Sequence, residues 1–272
     1  MYTSEPGEGV GLLRAWFRGR AFGKHRHDTY AIGVTDVGVQ MFDYRGRVER
    51  STPGQVIVLH PDEMHDGRAG TEVGFSYRIV YVDPARIAAA LGAIRERPAS
   101  LPFVREPVSH NPTLARAVAA AFQPAPEPLA LDALVLRLAE GLVEGDPTSR
   151  TAGPPRRFDH AAIERARAFL DSRRAIVRSA ELEAVTGLSR YELARQFRIS
   201  YAISPYRYSL MRRLEFARNR LGSGTPLAEL ALAAGFVDQA HFTRMFRSAF
   251  GVTPGRYARL RRVEPGWKGQ GA

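Results

Sequence analysis

The stretch LSRYELARQFRISYAISPYRY (188–208) returns as VDQAHFTRMFRSAFGVTPGRY (237–257), offset by 49 residues. Arg195/Arg244, Phe197/Phe246, Arg198/Arg247, Pro205/Pro254, Arg207/Arg256 and Tyr208/Tyr257 are identical pairs. Upstream, Glu181, Leu182 and Gly187 answer Glu229, Leu230 and Gly235 at an offset of 48, as a duplication with one extra residue in the turn leaves them. Each copy reads as helix, glycine turn, helix. In the first, ELEAVT ends at Gly187, and Ser189 caps the next helix with Glu192 three residues on, a capping box. In the second, Thr225 is expected as the cap and Pro226 in the first turn, Gly235 turns the chain, and Asp238 caps the following helix. Two helices across a short glycine turn make a helix-turn-helix unit.

Helical periodicity sorts the faces of the second helix in each copy. Leu193 with Phe197, and Phe242 with Phe246, stand four apart and are expected to face a core. That orientation leaves Arg190, Tyr191, Ala194 and Arg195 outward in one copy, and Gln239, Ala240, Thr243 and Arg244 in the other. Arg bonds guanine bidentately, Gln bonds adenine, and Ala or Thr methyls touch the thymine methyl, so these side chains suit a major groove. A helical hairpin buried in an all-α domain would share the pattern but not the duplication with its charge. Between the copies, Ser204 and Pro205 open a helix through about Leu221, roughly 25 Å long, able to hold two reading helices about one duplex turn apart.

Charge divides the chain at the same place. The 272 residues carry 39 Lys and Arg against 28 Asp and Glu, a net +11. Residues 156–272 hold 22 of the basic and only 10 of the acidic side chains, so the excess lies in the carboxyl-terminal half. A near-neutral half joined to a basic half suggests that the latter meets a polyanion. Arg190, Arg207, Arg212, Arg247 and Arg256 are candidates for phosphate contacts, with Arg213, Arg218, Arg220, Arg259, Arg261 and Arg262 in the wider set. All but Lys24 and Lys268 of the basic residues are arginines, which reads first as coding bias.

The run LAELALAAGFVDQAHFTRMFRSAFGVTPGRYAR resembles the signature of the AraC family of bacterial transcription regulators. The resemblance rests on Gly235-Phe236, Asp238-Gln239, the Phe242-Thr243-Arg244-Met245-Phe246 core and the segment from Gly251 to Arg259. It implies a seven-helix module with two helix-turn-helix units reading successive major-groove segments. By position it assigns base reading to Tyr191, Ala194 and Arg195, and to Gln239, Ala240, Thr243 and Arg244. The sequence departs from the pattern at Ala240, where a small polar residue is commoner, and at Ala202, where glycine is usual.

The amino-terminal half reads differently. LLRAWF, YAIGV, VQMFDY, QVIVLH and VGFSYRIVYV are short β-rich segments, separated by the turn pairs Arg45-Gly46, Pro53-Gly54 and Asp66-Gly67. Many short strands with Gly and Pro turns suggest a sandwich or small barrel. Three helical stretches follow, the last with Leu131, Leu134, Val135, Leu138 and Leu142 along one face. That stripe is expected to mediate dimerisation, the bland alternative being packing onto its own barrel. QPAPEP (123–128) reads as a stiff break.

The segment from Lys24 to Gly70 is similar to the cupin-type barrel that senses effectors in the same family. His25 and His27 share one side of an extended segment because side chains alternate. The resemblance adds His65, at a position where cupins often turn a histidine inward. An effector pocket is expected among His25, His27, Tyr30, His65 and Tyr77. Three histidines can also bind Zn or Fe, which raises the alternative of a metal-dependent cupin enzyme. Metal cupins normally add a Glu shortly after H-x-H, where Ala31 and Ile32 stand. No metal or other cofactor is therefore expected. His60, His110, His160 and His241 show no partner pattern. Residues 1–10 are a candidate arm over the barrel mouth.

The fold expected is α+β: a cupin-like β-barrel with a helical dimerisation segment, then an all-α domain with two helix-turn-helix units. Its parts are the sensing domain at 1–100, the helical segment at 101–148, a linker at 149–158 and the DNA-binding domain at 159–264. The function expected is sequence-specific transcription regulation by a homodimer in the cytoplasm, with double-stranded DNA, a small-molecule effector and RNA polymerase as partners and no membrane. A constitutive architectural DNA-binding protein is a further alternative. Without cysteine there is no disulfide, thiol nucleophile or thiolate metal site. No nucleophile–base set, distinctive carboxylate pair or phosphate-binding Gly loop is found. The polar, acidic start is unlike a secretory signal peptide, and no apolar run reaches a membrane span.

Overall fold

The computed structural model describes residues 2–7, 9–94, 101–122, 127–147, 157–222 and 224–263. QPAPEP falls largely outside them, as does most of the expected linker. Two compact units divide the chain: Met1–Phe158 with Ser189–Gln196, and Asp159–Leu188 with Phe197–Ala272.

Among the described residues, the first unit holds ten strands in two antiparallel sheets. β1 (Tyr2–Gly7), β2 (Val10–Phe17), β9 (Phe75–Val82), β4 (Tyr30–Gly38), β7 (Val56–Leu59) and β10 (Val108–Ser109) form one, in that order. β3 (Arg20–His25), β8 (His65–Ala69), β5 (Gln40–Tyr44) and β6 (Arg47–Ser51) form the other. The candidate arm over the barrel mouth is instead the edge strand β1, paired with β2 from Tyr2↔Arg14 onward. Arg45 and Gly46, with φ of 49° and 75°, close the β5–β6 hairpin below the Tyr44↔Arg47 pair. Two positive φ values in a two-residue loop match the right-handed twist of the flanking strands.

The larger sheet is buried on both faces, which is why its strands read as nearly continuous apolar runs. On β9, Phe75, Tyr77 and Ile79 join Ala31, Ile57 and Leu59 in the barrel interior. Their neighbours Val80 and Val82 join Ile32, Val56 and Val58 on the opposite face. That face is covered by α1 (Pro84–Ile94), α2 (Pro112–Ala121) and α3 (Pro128–Glu144). The α3 stripe is spent there: Val135, Leu138 and Leu142 are wholly buried, and Leu131 and Leu134 nearly so. This corrects the dimerisation reading of the stripe, because burial in the chain's own core leaves it no surface to offer a second copy.

The second unit is helical, with α4 (His160–Ser172), α5 (Ser179–Thr186), α7 (Pro205–Arg220), α8 (Leu227–Ala233), α9 (Gln239–Phe250) and α10 (Pro254–Val263); α6 (Arg190–Tyr201) lies astride the division. Its packing repeats with its sequence. Phe197 is buried against the rings of Tyr201 and Tyr208, at 4.7 and 5.5 Å between centroids. Phe246, the equivalent, is buried against Phe250 and Tyr257 at 4.5 and 5.6 Å. Each buried ring stabilises by roughly 1.5–3 kcal/mol. The caps follow the reading with one change. Ser189 and Glu192 exchange bonds, Ser204 accepts from the Arg207 amide, and Asp238 from that of His241. In α8, however, Pro226 itself holds the cap position without a side-chain bond and the helix starts at Leu227, one residue later than expected.

Candidate functional site

The barrel encloses a cavity of about 440 Å³. Strand parity decides what lines it. From β9 come Tyr77, Ile79 and Tyr81, from β4 Ala31, from β7 Ile57 and Leu59, and from β5 Gln40. His25, His27 and His65 complete its polar side. His25 and His65 face each other directly across β3 and β8, with centroids 4.4 Å apart, and His27 lies 4.9 Å from His65 and 6.2 Å from His25. Four of the five expected pocket residues are thus brought together. Tyr30 is not among them. It stands one residue from Ala31 and so on the opposite face, where its hydroxyl donates to the Pro102 carbonyl at 3.0 Å.

Hydrogen bonds fix the tautomers of the three histidines. Each Nδ1 lies against a backbone carbonyl: Gly23 for His25 at 3.0 Å, Thr29 for His27 at 2.8 Å, Glu63 for His65 at 2.9 Å. A carbonyl only accepts, so each Nδ1 carries the proton and each Nε2 presents a lone pair. Burial holds His65 down at about 4, helped by repulsion from its two histidine neighbours, and burial also lowers His27. Both are neutral at pH 7. Among the described residues no group of three or more His, Cys, Asp or Glu side chains is placed to hold a metal ion.

Gln40 is the cavity residue that motif reading missed. Its signal was the alternation of QMFDY, in which residues 40, 42 and 44 are the buried ones. A glutamine at an inward position of a strand marks a polar group with a task. His60, by contrast, serves the fold. Its Nε2 accepts from the Val104 amide at 3.1 Å, and its Nδ1 lies 3.1 Å from the Tyr44 hydroxyl.

In the second unit, α9 presents the face that periodicity assigned to DNA. Gln239, Ala240 and Arg244 are exposed and Thr243 is half-buried, while Phe242 and Phe246 are wholly buried behind them. The turn before α9 depends on Gly235, which has φ of 78°; a Cβ there would meet the Arg174 carbonyl oxygen at 2.0 Å. Arg213 holds the same turn from α7. It is fully buried, donating from Nε to the Ala234 carbonyl at 3.1 Å and from an amino group to that of Gly235 at 2.6 Å, with its plane 4.4 Å from the Phe236 ring. This corrects its assignment as a phosphate contact.

The other arginines divide. Arg207, Arg212, Arg247, Arg256 and Arg259 are exposed, though Arg212 also pairs with Glu215 at 2.9 Å. Arg190 is half-exposed. Arg218 stands over the Phe250 ring at 5.4 Å and Arg220 over Phe216 at 3.9 Å. Arg261 and Arg262 have side chains outside the described set. In the first copy the reading face is covered: Tyr191 and Ala194 are 4% exposed and Arg195 8%. The outward orientation expected of them is corrected, because residues 189–196 count with the first unit, and the Tyr191 ring and Ala194 methyl are apolar surface buried in its core.

Comparison with known proteins agrees with both halves. The AraC-like ligand binding domain family matches residues 9–139, and a helix-turn-helix domain family matches residues 182–260. A curated relative, the uncharacterized HTH-type transcriptional regulator YbfI of Bacillus subtilis (strain 168), is 26% identical over 231 residues, covering 81% of each chain. Among solved structures, an AraC-type transcriptional regulator of Chromobacterium violaceum is 28% identical over 39% of this chain and 96% of its own, with a TM-score of 0.36. Apo ToxT of Vibrio cholerae is 14% identical over 94% of this chain and 99% of its own, with a TM-score of 0.40. A ligand-binding barrel joined to a helix-turn-helix domain defines a DNA-binding regulator with an effector-sensing domain. Together these matches support an AraC-family transcription regulator. No helix among the described residues is long and apolar enough to cross a membrane.

Proposed function

We propose that this regulator chooses its sites through α9, with Gln239, Ala240, Thr243 and Arg244 against base edges in a major groove. The observation that carries this reading is the division of α9, polar and exposed on one side, phenylalanine-packed on the other. Through the repeat, Tyr191, Ala194 and Arg195 would take the same role in a neighbouring groove segment only once uncovered from the core that buries them. Arg190, Arg207, Arg212, Arg247 and Arg256 hold phosphates, adding affinity common to all sequences. The effector occupies the barrel cavity beside His25, His27, His65, Tyr77 and Gln40, and acts by binding two states of the protein with different affinity. The working parts are the sensing domain at 1–100, the helices at 101–148 packed on it, the linker at 149–158 and the DNA-binding domain at 159–264. The regulator works as a cytoplasmic homodimer meeting RNA polymerase at promoters, its dimer surface lying elsewhere than the α3 stripe.

Selection from randomised duplex DNA tests the reading. A defined motif is expected, and the Arg244→Ala protein should select the same motif with one position relaxed. Enrichment of no motif by the parent protein would overturn sequence-specific reading.

A further inference from the structure

Among the described residues, three buried polar atoms of side chains lining the cavity have no hydrogen-bond partner: Nε2 of His27, Oε1 of Gln40 and the Tyr77 hydroxyl. Gln40 and Tyr77 are 3% and 1% exposed, so bulk water does not satisfy them. A buried polar group left unpaired carries its full desolvation cost. Three such groups converging on one chamber describe the complement of a ligand.

We propose that the cavity takes an uncharged ring compound bearing hydroxyl groups, of the phenol or catechol class, and discriminates against ring carboxylates. This rests on the effector reading above and gives that site its chemistry.

Hydrogen-bond polarity comes first. His27 has its Nδ1 proton committed to the Thr29 carbonyl, so its Nε2 only accepts. The Gln40 carbonyl oxygen is buried without a partner in the cavity wall, and that atom only accepts. Two acceptors require two donors, which a diol supplies and a carboxylate does not. The Tyr77 hydroxyl gives a donor to the ligand's own oxygen or accepts a third proton.

Charge points the same way. Of the cations near the wall, Arg68 is engaged by Asp43 at 3.0 Å and by Asp66 at 3.2 Å. Lys24 is exposed, and His65 is held neutral. The Asp66 carboxylate, which also lines the cavity, is itself negative and accepts from the Asp43 amide at 2.8 Å. An entering carboxylate would lose its hydration and find two lone pairs and a like charge where it needs donors.

The walls supply the ring preference. Phe17, Phe22, Tyr77 and Tyr81 all face the cavity, with Phe17 stacked on Tyr77 at 6.0 Å and 22°. Aromatic faces and edges of this kind favour another flat ring. A volume of about 440 Å³ lies within the usual range for small-molecule sites.

The test is calorimetric titration of the full chain at pH 7.5 with phenol, catechol, benzoate and the purely apolar probe toluene. Catechol is expected to bind at least about tenfold more tightly than benzoate, a difference of about 1.4 kcal/mol. Gln40→Leu replaces an amide whose carbonyl oxygen is unpaired by an apolar group of similar size. It should keep or raise the melting temperature of the free protein while weakening catechol about tenfold and leaving toluene unchanged. Tyr77→Phe is the second variant and should act in the same direction. Benzoate binding as tightly as catechol, or catechol binding indifferent to both variants, would overturn the ligand class while leaving the cavity as the effector site. Absence of binding by all four probes would overturn the effector reading together with it.

Discussion

Ala202 takes a backbone conformation that the other copy of the repeat gives to glycine: its φ is 58°, against 76° at Gly251, 49 residues on. Left-handed backbone crowds a Cβ, and glycine relieves this at some entropic cost in the unfolded chain. Ala202→Gly should therefore raise stability by roughly 0.5–1 kcal/mol, read as a higher denaturant midpoint; a lower one would refute the strain. Arg213 makes the opposite case. Arg213→Met fills the space but leaves the Ala234 and Gly235 carbonyls without their donor, and should cost roughly 2–4 kcal/mol by chemical denaturation. His60 and His65 set a pH dependence. Burial holds both at about 4, against 6.5 for an unfolded histidine. Both are therefore favoured neutral in the fold, and their contribution is complete above pH 6.5. It is lost as pH falls from there toward 4, by up to about 3 kcal/mol for each. Denaturant midpoints followed from pH 7.5 to 5, above most carboxylate titration, should decline steadily; a flat profile would contradict the assignment.

At the scale of elements, the reading face of α9 and its packed face are separable by mutation. Arg244→Ala removes a guanidinium from the exposed side and should cost roughly 1–3 kcal/mol in binding to the preferred site, relaxing choice at one base pair. Phe246→Ala empties a wholly buried position and should instead cost roughly 3–5 kcal/mol in folding. Melting curves beside binding isotherms for the two proteins check the separation. The helices were legible in the sequence because capping residues, turn glycines and four-residue spacing all agree over the repeat. The strands were legible where burial is strong: β2, β4, β5, β7 and β9 carry the runs picked out as β. RAFGKH, RVERS and HDGRA gave no such signal: β3 and β6 expose much of their length, and β8, though buried from His65 to Gly67, carries polar residues and glycine there, so pairing rather than apolar content fixes them. Asp66-Gly67 shows the difference. The pair looks like a turn and lies within β8, where the missing Cβ of Gly67 leaves room for the Phe22 ring, 2.4 Å from where it would stand. Tyr30 failed for parity: being one residue off on a strand sends a side chain to the other face of the sheet. The covered first-copy face was illegible because periodicity assigns a side chain to a helix face and says nothing of what covers that face.

Across the whole molecule, charge predicts how the two activities respond to salt. The basic excess lies after residue 155, and Arg207, Arg212, Arg247 and Arg256 stand exposed in that half. Phosphate contacts release condensed counterions, so the logarithm of DNA affinity should fall linearly with the logarithm of salt concentration. Each arginine that touches a phosphate contributes about one unit of slope, and the loss of affinity on its removal is the same for every sequence. Arg207→Ala and Arg256→Ala should each lower the slope by about one without changing the selected motif. Arg212 is already paired with Glu215 in the free protein, so its removal should change the slope less. Ligand binding in the barrel buries no comparable charge and should be nearly indifferent to salt, which screens exposed charges within about 10 Å at 0.1 M. Titrations of DNA and of catechol between 50 and 300 mM salt place both responses on one protein. A slope unchanged in both the Arg207 and Arg256 variants would remove these side chains from the DNA interface. A motif altered in either would make them readers of sequence.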